Sequence, residues 1–152
     1  MQFDDNYWMR RALELATLAR NEGEIPIGAI IVHNERIIGR GWNRVEQLRQ
    51  PAAHAEMFAI GEAAATLGGR RLLECTLYST LEPCVMCTGA IVLARIPRLV
   101  YAAADLKAGA CRSLYEIADD PRLNHRCSIR SGILADESAT MLKDFFRRLR
   151  SV

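Results

Sequence analysis

The N-terminal third of the chain changes from a helical to a strand-like pattern of hydrophobic residues. Apolar side chains recur every three or four positions up to about Asn21, which predicts an amphipathic helix. Asp4 or Asp5 can cap its N-terminus, and Gly23 follows its end. The apolar stripe consists of Trp8, Ala12, Leu15, Ala16 and Ala19.

Two apolar-rich segments follow, and the rest of the chain alternates between helical and strand patterns. The segments Ile27–His33 and Arg36–Gly41 flank Asn34-Glu35, which predicts a β-hairpin. Further strands are predicted at Thr76–Thr80, Arg98–Ala102 and, as an edge strand, Ser128–Ile133. Helices are predicted at His54–Leu67, Pro83–Ala94 and Asp136–Arg150, with a short helical piece around Leu114–Ala118 in the loop Leu106–Asn124. On the last helix, Met141, Leu142, Phe145 and Leu149 are expected to face inward.

This order of elements predicts the fold class. A helix between the strands at 76–80 and 98–102 predicts that these two strands are parallel, whereas the hairpin strands are antiparallel. The sheet is therefore mixed. We predict an α/β fold, a three-layer α-β-α sandwich with a central five-stranded mixed sheet flanked by helices. A chain of 152 residues suits one domain, spanning residues 1–152.

Composition excludes several protein classes. Half of the residues are apolar, but the longest apolar stretch, Ile25–Val32, is far too short to span a bilayer. The segment Met1–Asp5 is acidic and does not resemble a signal peptide. Five cysteines, two of them expected on a metal, do not suggest a disulfide framework. We therefore expect a cytoplasmic protein.

Two short motifs carry the candidate chemistry. His54-Ala55-Glu56 is followed by Pro83-Cys84-Val85-Met86-Cys87, which begins 29 residues after His54. Zinc prefers thiolate sulfur and imidazole nitrogen, so His54, Cys84 and Cys87 are candidate ligands. Three protein ligands leave the fourth position for water, which is typical of catalytic zinc. The complete pattern, including the proline, is that of the zinc-dependent nucleobase deaminases.

Glu56 is the carboxylate next to the expected zinc. Two thiolates neutralise the charge of the metal, so a separate base is useful. We assign Glu56 as the general acid/base that takes a proton from the zinc-bound water and delivers protons to the substrate base. Pro83 is predicted to open a helix, with both cysteines on its first turn. Residues 54 and 56 diverge by about 200° on a helix, so His54 is expected at its entrance.

Other interpretations of the Cys-x-x-Cys pair are a structural zinc site and a dithiol redox centre. A structural zinc needs a fourth protein ligand. No further ligand pair with zinc-type spacing is present among the other candidates, which are His33, Cys75, Cys111, His125 and Cys127.

Several longer segments resemble the bacterial tRNA-specific adenosine deaminase family. They are Gly23–Ala29, Gly41–Arg44, Thr80–Cys87, Arg95-Ile96, Asp105–Lys107 and Leu123–Arg126. The resemblance, from about Tyr7 to Arg148, implies a cytidine deaminase-like fold and one Zn²⁺ per subunit. It also implies hydrolytic deamination of the wobble adenosine to inosine, by attack of zinc-bound hydroxide on adenine C6. The family is homodimeric and binds a tRNA anticodon stem-loop across the subunit interface.

The same resemblance suggests substrate-binding residues. Asn43 matches the position that hydrogen-bonds the target base, and Asp105, Lys107 and Asn124 match positions that hold the anticodon loop. The main-chain groups of Ala55 and Ile27 also match contacts with the base. A turn asparagine and solvated loop residues are the structural alternatives for these side chains.

The chain departs from the family pattern around the expected RNA groove and not around the zinc. The departures are Gln50-Pro51-Ala52, Leu93-Ala94, Ala108 and Cys111-Arg112. These departures bear on which RNA sequence around the target base is accepted, whereas the residues needed for deamination are intact.

Charge adds one observation. The net charge of +2 is not a strong indication of nucleic-acid binding. From Pro121 onward, however, seven basic residues stand against three acidic ones. A basic C-terminal segment suits contact with an anticodon stem, although a solvated helix face has the same composition.

Three functions therefore remain to be compared with the structure. The first is deamination of adenosine in tRNA. The second is deamination of a free base, nucleoside or nucleotide, of the guanine or cytosine type, at the same zinc site. The third is a zinc-containing structural or RNA-binding module without catalysis, which the intact Glu56 disfavours.

Overall fold

A mixed β-sheet lies between two layers of helices in the computed structural model, which describes residues 3–151. The strands are β1 (Gly28–His33), β2 (Arg36–Trp42), β3 (Cys75–Leu81), β4 (Arg98–Ala103) and β5 (Ser128–Ser131). The α-helices are α1 (Asp5–Asn21), α2 (Val45–Leu48), α3 (Ala55–Leu67), α4 (Val85–Leu93) and α5 (Ala135–Arg150), with a 3₁₀ helix at Ile117–Asp119. Within these residues no helix is both long and apolar enough to cross a membrane.

The five strands are arranged in the order β2–β1–β3–β4–β5. β1 is antiparallel to β2 and β3, whereas β3, β4 and β5 are mutually parallel. The predicted mixed five-stranded sheet, with β4 parallel to β3, is therefore confirmed. The predicted hairpin is present too: Asn34 and Glu35 both have positive φ, of 50° and 58°, as a type I′ turn requires.

Each face of the sheet has its own hydrophobic core, because alternate residues of a strand point to opposite faces. On one face, Ala29 and Ile31 pack with α3 and α4. On the other, Ile30 and Val32 pack with α1 and with Ile133, which lies just before α5. This is the predicted three-layer sandwich.

Two glycines of β2 bring α3 very close to the sheet. A Cβ atom on Gly39 would lie 2.2 Å from the carbonyl oxygen of Ala59, and one on Gly41 would lie 2.0 Å from that of Ala55. Side chains larger than hydrogen at these two positions would displace α3. The first turn of the helix is thus held against β2 by direct backbone contact.

Several boundaries differ from the prediction. The four-residue α2 was not predicted, and the 3₁₀ helix at Ile117–Asp119 lies later than the predicted piece at Leu114–Ala118. β5 ends at Ser131, because the positive φ of 85° at Gly132 ends the extended conformation before Ile133. α4 begins at Val85 and not at Pro83.

Candidate metal centre and active site

Two helix N-termini place the candidate metal ligands. His54 is the N-cap of α3 and Cys84 is the N-cap of α4, and both have extended backbone conformations. Cys87 lies in the first turn of α4. His54 was correctly predicted at the entrance of its helix. For α4 the prediction was off by two residues, since Cys84 caps the helix instead of lying within its first turn.

The distances from the imidazole of His54 to the two cysteine sulfurs fit a tetrahedral metal ion. Nδ1 of His54 lies 3.6 Å from Sγ of Cys84 and 3.5 Å from Sγ of Cys87. Bonds of about 2.3 Å to sulfur and about 2.05 Å to nitrogen, at a tetrahedral angle, place those atoms about 3.6 Å apart. The donor set and its geometry therefore suit zinc. Among residues 3–151, these are the only three such side chains grouped closely enough to hold a metal ion.

The two thiols differ in their affinity for protons. The hydrogen bond that Cys84 accepts from Cys87, together with His54, lowers the pKa of Cys84 to about 3, against the opposing effect of burial. Donation of that hydrogen bond, with burial, raises the pKa of Cys87. Cys84 is thus a thiolate at neutral pH. A metal ion bound here takes the place of the proton between the two sulfurs.

Glu56 lies in the first turn of α3 and is only 4% exposed. Burial raises the pKa of its carboxyl group to about 7, although the nearby His54 opposes this shift. A carboxyl group in this range can accept and release a proton near neutral pH. No ion pair with a lysine or arginine holds Glu56 in one charge state in the described part of the chain.

A cavity of about 490 Å³ opens onto these residues. It has the size of a small-molecule site. His54, Glu56 and Cys84 line it, together with Asn43, the end of β3 and four other parts of the chain. These are the Gly23–Ile27 segment, the start of α2, the loop after β4 and the last turns of α5.

Asn43 lines the cavity, as the resemblance suggested, and is 5% exposed. Its side-chain oxygen accepts a hydrogen bond from the backbone N–H of Val45, and its amide nitrogen donates one to the carbonyl of Ile25. An amide offers two donors and two acceptor positions, so one of each remains available. Ile27 and Ala55 also line the cavity.

Of the other three predicted substrate residues, one lines the cavity and two do not. Asp105 lines the cavity, but its carboxylate caps a turn by accepting hydrogen bonds from the N–H groups of Lys107 and Ala108. The side chains of Lys107 and Asn124 are exposed and do not line it. The structure thus groups Asn43 and Asp105 with the metal ligands and Glu56, and leaves Lys107 and Asn124 further out.

The end of α5 borders the cavity through Phe145, Phe146 and Leu149. Leu149 was expected to face inward, but it is 61% exposed. That prediction is wrong, because Leu149 borders the open cavity instead of the core. The arginines of the same turns, Arg147, Arg148 and Arg150, are exposed.

Sequence reasoning missed two buried carboxylates at the cavity, Glu24 and Glu82, each 2% exposed. Glu24 accepts hydrogen bonds from the N–H groups of Glu46 and Gln47 and thereby anchors α2. For Glu24, the sequence feature that could have indicated burial is its position directly before an apolar run, in the segment Glu24–Val32.

Comparison with known proteins is consistent with this site. The profile of the cytidine and deoxycytidylate deaminase zinc-binding region matches residues 2–103, which include all three candidate ligands and Glu56. The chain belongs to this family.

Individual relatives identify a group within this family. The chain is 49% identical over 147 residues to a tRNA-specific adenosine deaminase of Streptococcus pyogenes, covering 97% of this chain and 92% of that protein. It also resembles a solved structure from a study of adenosine-to-inosine editing by tRNA deaminases at the wobble position of transfer RNA. The TM-score is 0.85 and the identity 43%, over 90% of this chain and 99% of that one. The chain is thus a member of the tRNA-specific adenosine deaminase group.

Guanine deaminases share the fold at a greater distance. A guanine deaminase of Nitrosomonas europaea aligns with a TM-score of 0.76 and 26% identity, over 95% of this chain and 86% of that one. The fold is therefore common to enzymes with different substrates.

Proposed function

We propose that this protein converts the wobble adenosine of a tRNA anticodon to inosine by hydrolytic deamination. The observation that carries the proposal is the convergence of His54, Cys84, Cys87 and buried Glu56 at one cavity, in a chain 49% identical to a tRNA-specific adenosine deaminase. The overall reaction adds one water and releases one ammonia, so that the C6–N bond breaks and a C6–O bond forms.

His54, Cys84 and Cys87 would hold one Zn²⁺ per subunit. When bound there, zinc supplies a water acidic enough to react at neutral pH. Glu56 accepts one proton from the attacking water and delivers it to N1 of the adenine ring. It then accepts the proton of the new C6 hydroxyl and delivers it to the departing amino nitrogen. Its position in the first turn of α3, two residues after His54, supports this shuttle role.

Asn43 positions the base in this proposal. Its amide is fixed by Val45 and Ile25, so its free donor and acceptor have a defined direction toward the cavity. Rigid placement lowers the entropy cost of binding. The target nucleotide must leave its stack to reach the site, and an anticodon loop lowers the cost of that step.

The RNA around the base would contact the rim of the cavity. Asp105, Lys107 and Asn124 lie on the loops between β4 and β5, and the exposed arginines of α5 suit phosphate groups. One oxygen of the Asp105 carboxylate accepts two hydrogen bonds within the loop and thereby stabilises its turn. We propose that it meets the RNA through the oxygen that the turn leaves free. A protein with this substrate would act in the cytoplasm.

We also propose that the protein is a homodimer through the outer face of α4. Val85 and Leu93 on that helix are 50% and 68% exposed, and Leu114 and Tyr115 are more than half exposed as well. Apolar side chains exposed together are typical of protein interfaces. α4 carries Cys87, so a partner bound there would lie beside the active site.

The test is an activity panel for ammonia release. An adenosine-containing anticodon stem-loop should be deaminated, whereas free guanine, cytosine, cytidine and adenosine should react far more slowly. Because guanine deaminases share the fold, free guanine is the main alternative substrate. Efficient deamination of free guanine or cytosine, with the stem-loop untouched at low salt, would replace the RNA proposal with a free-base activity.

A further inference from the structure

Glu82 lies between the end of β3 and the metal ligand Cys84, and its side chain is buried. Its carboxylate accepts four backbone hydrogen bonds, from the N–H groups of Asp105, Cys111, Arg112 and Ser113, at 2.9–3.2 Å. A fifth comes from the Ser113 hydroxyl, at 2.5 Å. One side chain thus contacts both ends of a distant loop.

Both oxygens of the buried carboxylate are used: Oε1 accepts from Asp105 and the Ser113 hydroxyl, and Oε2 accepts from three successive backbone N–H groups. No ion pair between Glu82 and a lysine or arginine occurs within residues 3–151. Three successive N–H groups directed at one oxygen form an arrangement that proteins use to bind anions. Here the anion is a side chain of the protein itself.

The loop that Glu82 holds is irregular. Residues 104–116 contain neither helix nor strand, and the loop includes Asp105 and Ala108, which line the cavity. Without Glu82, four of its N–H groups would need water or new partners. A Cβ on Gly109 would lie 2.3 Å from the carboxyl carbon of Glu82, so the loop backbone rests directly against this group.

We propose that Glu82 is a positioning residue for the RNA substrate: it fixes the 104–116 loop to the base of the metal-binding helix α4. The loop and Cys84 then keep a constant relative position, so that nucleotides held at the rim place the target base over the metal site. This inference rests on the proposed tRNA substrate and assigns a role to a residue that does not touch the reacting atoms.

Glu82→Gln tests the proposal. Glutamine keeps the size of the side chain but replaces one acceptor oxygen with an NH₂ group, which cannot accept the hydrogen bonds of the loop. We expect KM for an adenosine-containing anticodon stem-loop to rise on the order of 10-fold, since hydrogen bonds to a charged group are among the stronger ones. The kcat value should change less than about twofold, and zinc content should stay at one per chain.

A role in folding alone predicts a different result. Fewer folded, zinc-loaded molecules would lower the apparent kcat and leave KM unchanged, and this outcome would overturn the proposal. Gly109→Ala provides a second variant in case Glu82→Gln does not fold. It leaves the carboxylate intact and pushes on it from the loop side, so KM should rise in the same way.

Glu62→Gln is the matched control. Glu62 lies on α3, is exposed and accepts one hydrogen bond from the backbone of Arg40, so KM should not change. Direct binding of the stem-loop, measured by fluorescence anisotropy, tests the proposed function and the proposed role of Glu82 separately. A wild-type protein that binds but does not deaminate the stem-loop contradicts the proposed function, whereas an affinity unchanged by both variants contradicts the role of Glu82.

Discussion

The imidazole of His54 and the sulfur of Cys87 lie 3.5 Å apart, although the two residues are 33 positions apart and belong to different helices. Neither α3 nor α4 can complete the metal site alone. The relative position of the two helices therefore sets the geometry of the ligands, and a bound metal in turn links the helices.

Cys84→Ser should abolish metal binding and deamination together. The substitution removes one of three ligands, and a serine hydroxyl is a poor substitute for a thiolate on zinc. Elemental analysis of the purified variant should find much less than one zinc per chain. Cys75→Ser is the control, because Cys75 is a buried thiol that lies near His33, away from the candidate ligands, and this variant should keep its zinc. Full zinc occupancy in Cys84→Ser would show that the ligand assignment is wrong.

Glu56→Ala should keep the zinc and lose turnover. The residue is proposed to move protons and not to bind the metal, and general acid/base groups contribute about 10²–10⁴-fold to rate. We expect a loss at the upper end of this range or beyond, because the proposed mechanism assigns several proton transfers to Glu56. The measurement is the rate of inosine formation in an anticodon stem-loop, with zinc content determined in parallel. Glu62→Ala changes an exposed residue of the same helix and should have no comparable effect. Near-wild-type turnover of Glu56→Ala would identify another base.

Asp5→Asn should destabilise the protein at neutral pH and much less in acid. The Asp5 carboxylate accepts hydrogen bonds from Arg98, Arg130 and Tyr78, at 2.6–2.8 Å. The bond from Arg98 is the largest cause that lowers the pKa of Asp5 below its ordinary value of 3.8, and burial opposes the shift. Because the folded pKa is lower than the unfolded one, the stabilisation is complete above the unfolded value and is lost as the pH falls through the folded one.

Urea unfolding at several pH values measures this effect. At pH 7 we expect the free energy of unfolding of Asp5→Asn to be lower by about 1–3 kcal/mol, as for hydrogen bonds to charged groups. The difference from the wild type should shrink as the pH falls below the ordinary pKa of an aspartate. Asp119→Asn is the control, since Asp119 forms an ion pair with Arg126 in which both side chains are about half exposed. Such pairs contribute about 0–1 kcal/mol. A difference that does not depend on pH would contradict the role of the Asp5 charge.

These elements also show how far the sequence allowed the structure to be predicted. α1, the hairpin and α3 follow from local periodicity and turn residues, as with Asn34-Glu35. The metal ligands follow from their spacing and chemistry. α2 could not be predicted, because its four residues are held by the distant Glu24 carboxylate. The shape of the 104–116 loop depends on Glu82 in the same way, and such contacts leave no periodic pattern in the sequence.

Replacing Arg147, Arg148 and Arg150 with glutamine should weaken RNA binding and reduce its salt dependence. Each lysine or arginine that contacts a phosphate contributes about one unit to the slope of log K against log salt. The apparent affinity for an anticodon stem-loop should be measured between low and physiological salt, with zinc content unchanged. The double variant Arg70→Gln, Arg71→Gln is the control, since these exposed residues follow the C-terminus of α3, whereas His54 lies at its N-terminus. Equal slopes for the wild type and the triple variant would exclude these arginines from the RNA contact.

Leu93→Lys should convert the proposed dimer to a monomer. Leu93 is 68% exposed on α4, and a lysine there would place a charge in the centre of an apolar contact. Sedimentation equilibrium should give twice the chain mass for the wild type and a single chain mass for the variant. Leu73→Lys is a suitable control, because Leu73 is 55% exposed but precedes β3, whereas α4 and Cys84 follow the opposite end of that strand. A monomeric wild type would refute the proposed interface.

The strand order has a consequence for how copies of the chain can associate. β2 and β5 are the two edges of the sheet, and the backbone groups on such edges can pair with strands of another molecule. β2 carries exposed Arg36 and Arg40 and a register shift opposite Ile31-Val32, and β5 has only four residues, including exposed Arg130. Charged side chains, irregular pairing and short length all oppose the growth of a continuous sheet between molecules. Both edges are thus protected against uncontrolled polymerisation, which is compatible with the proposed closed dimer through α4.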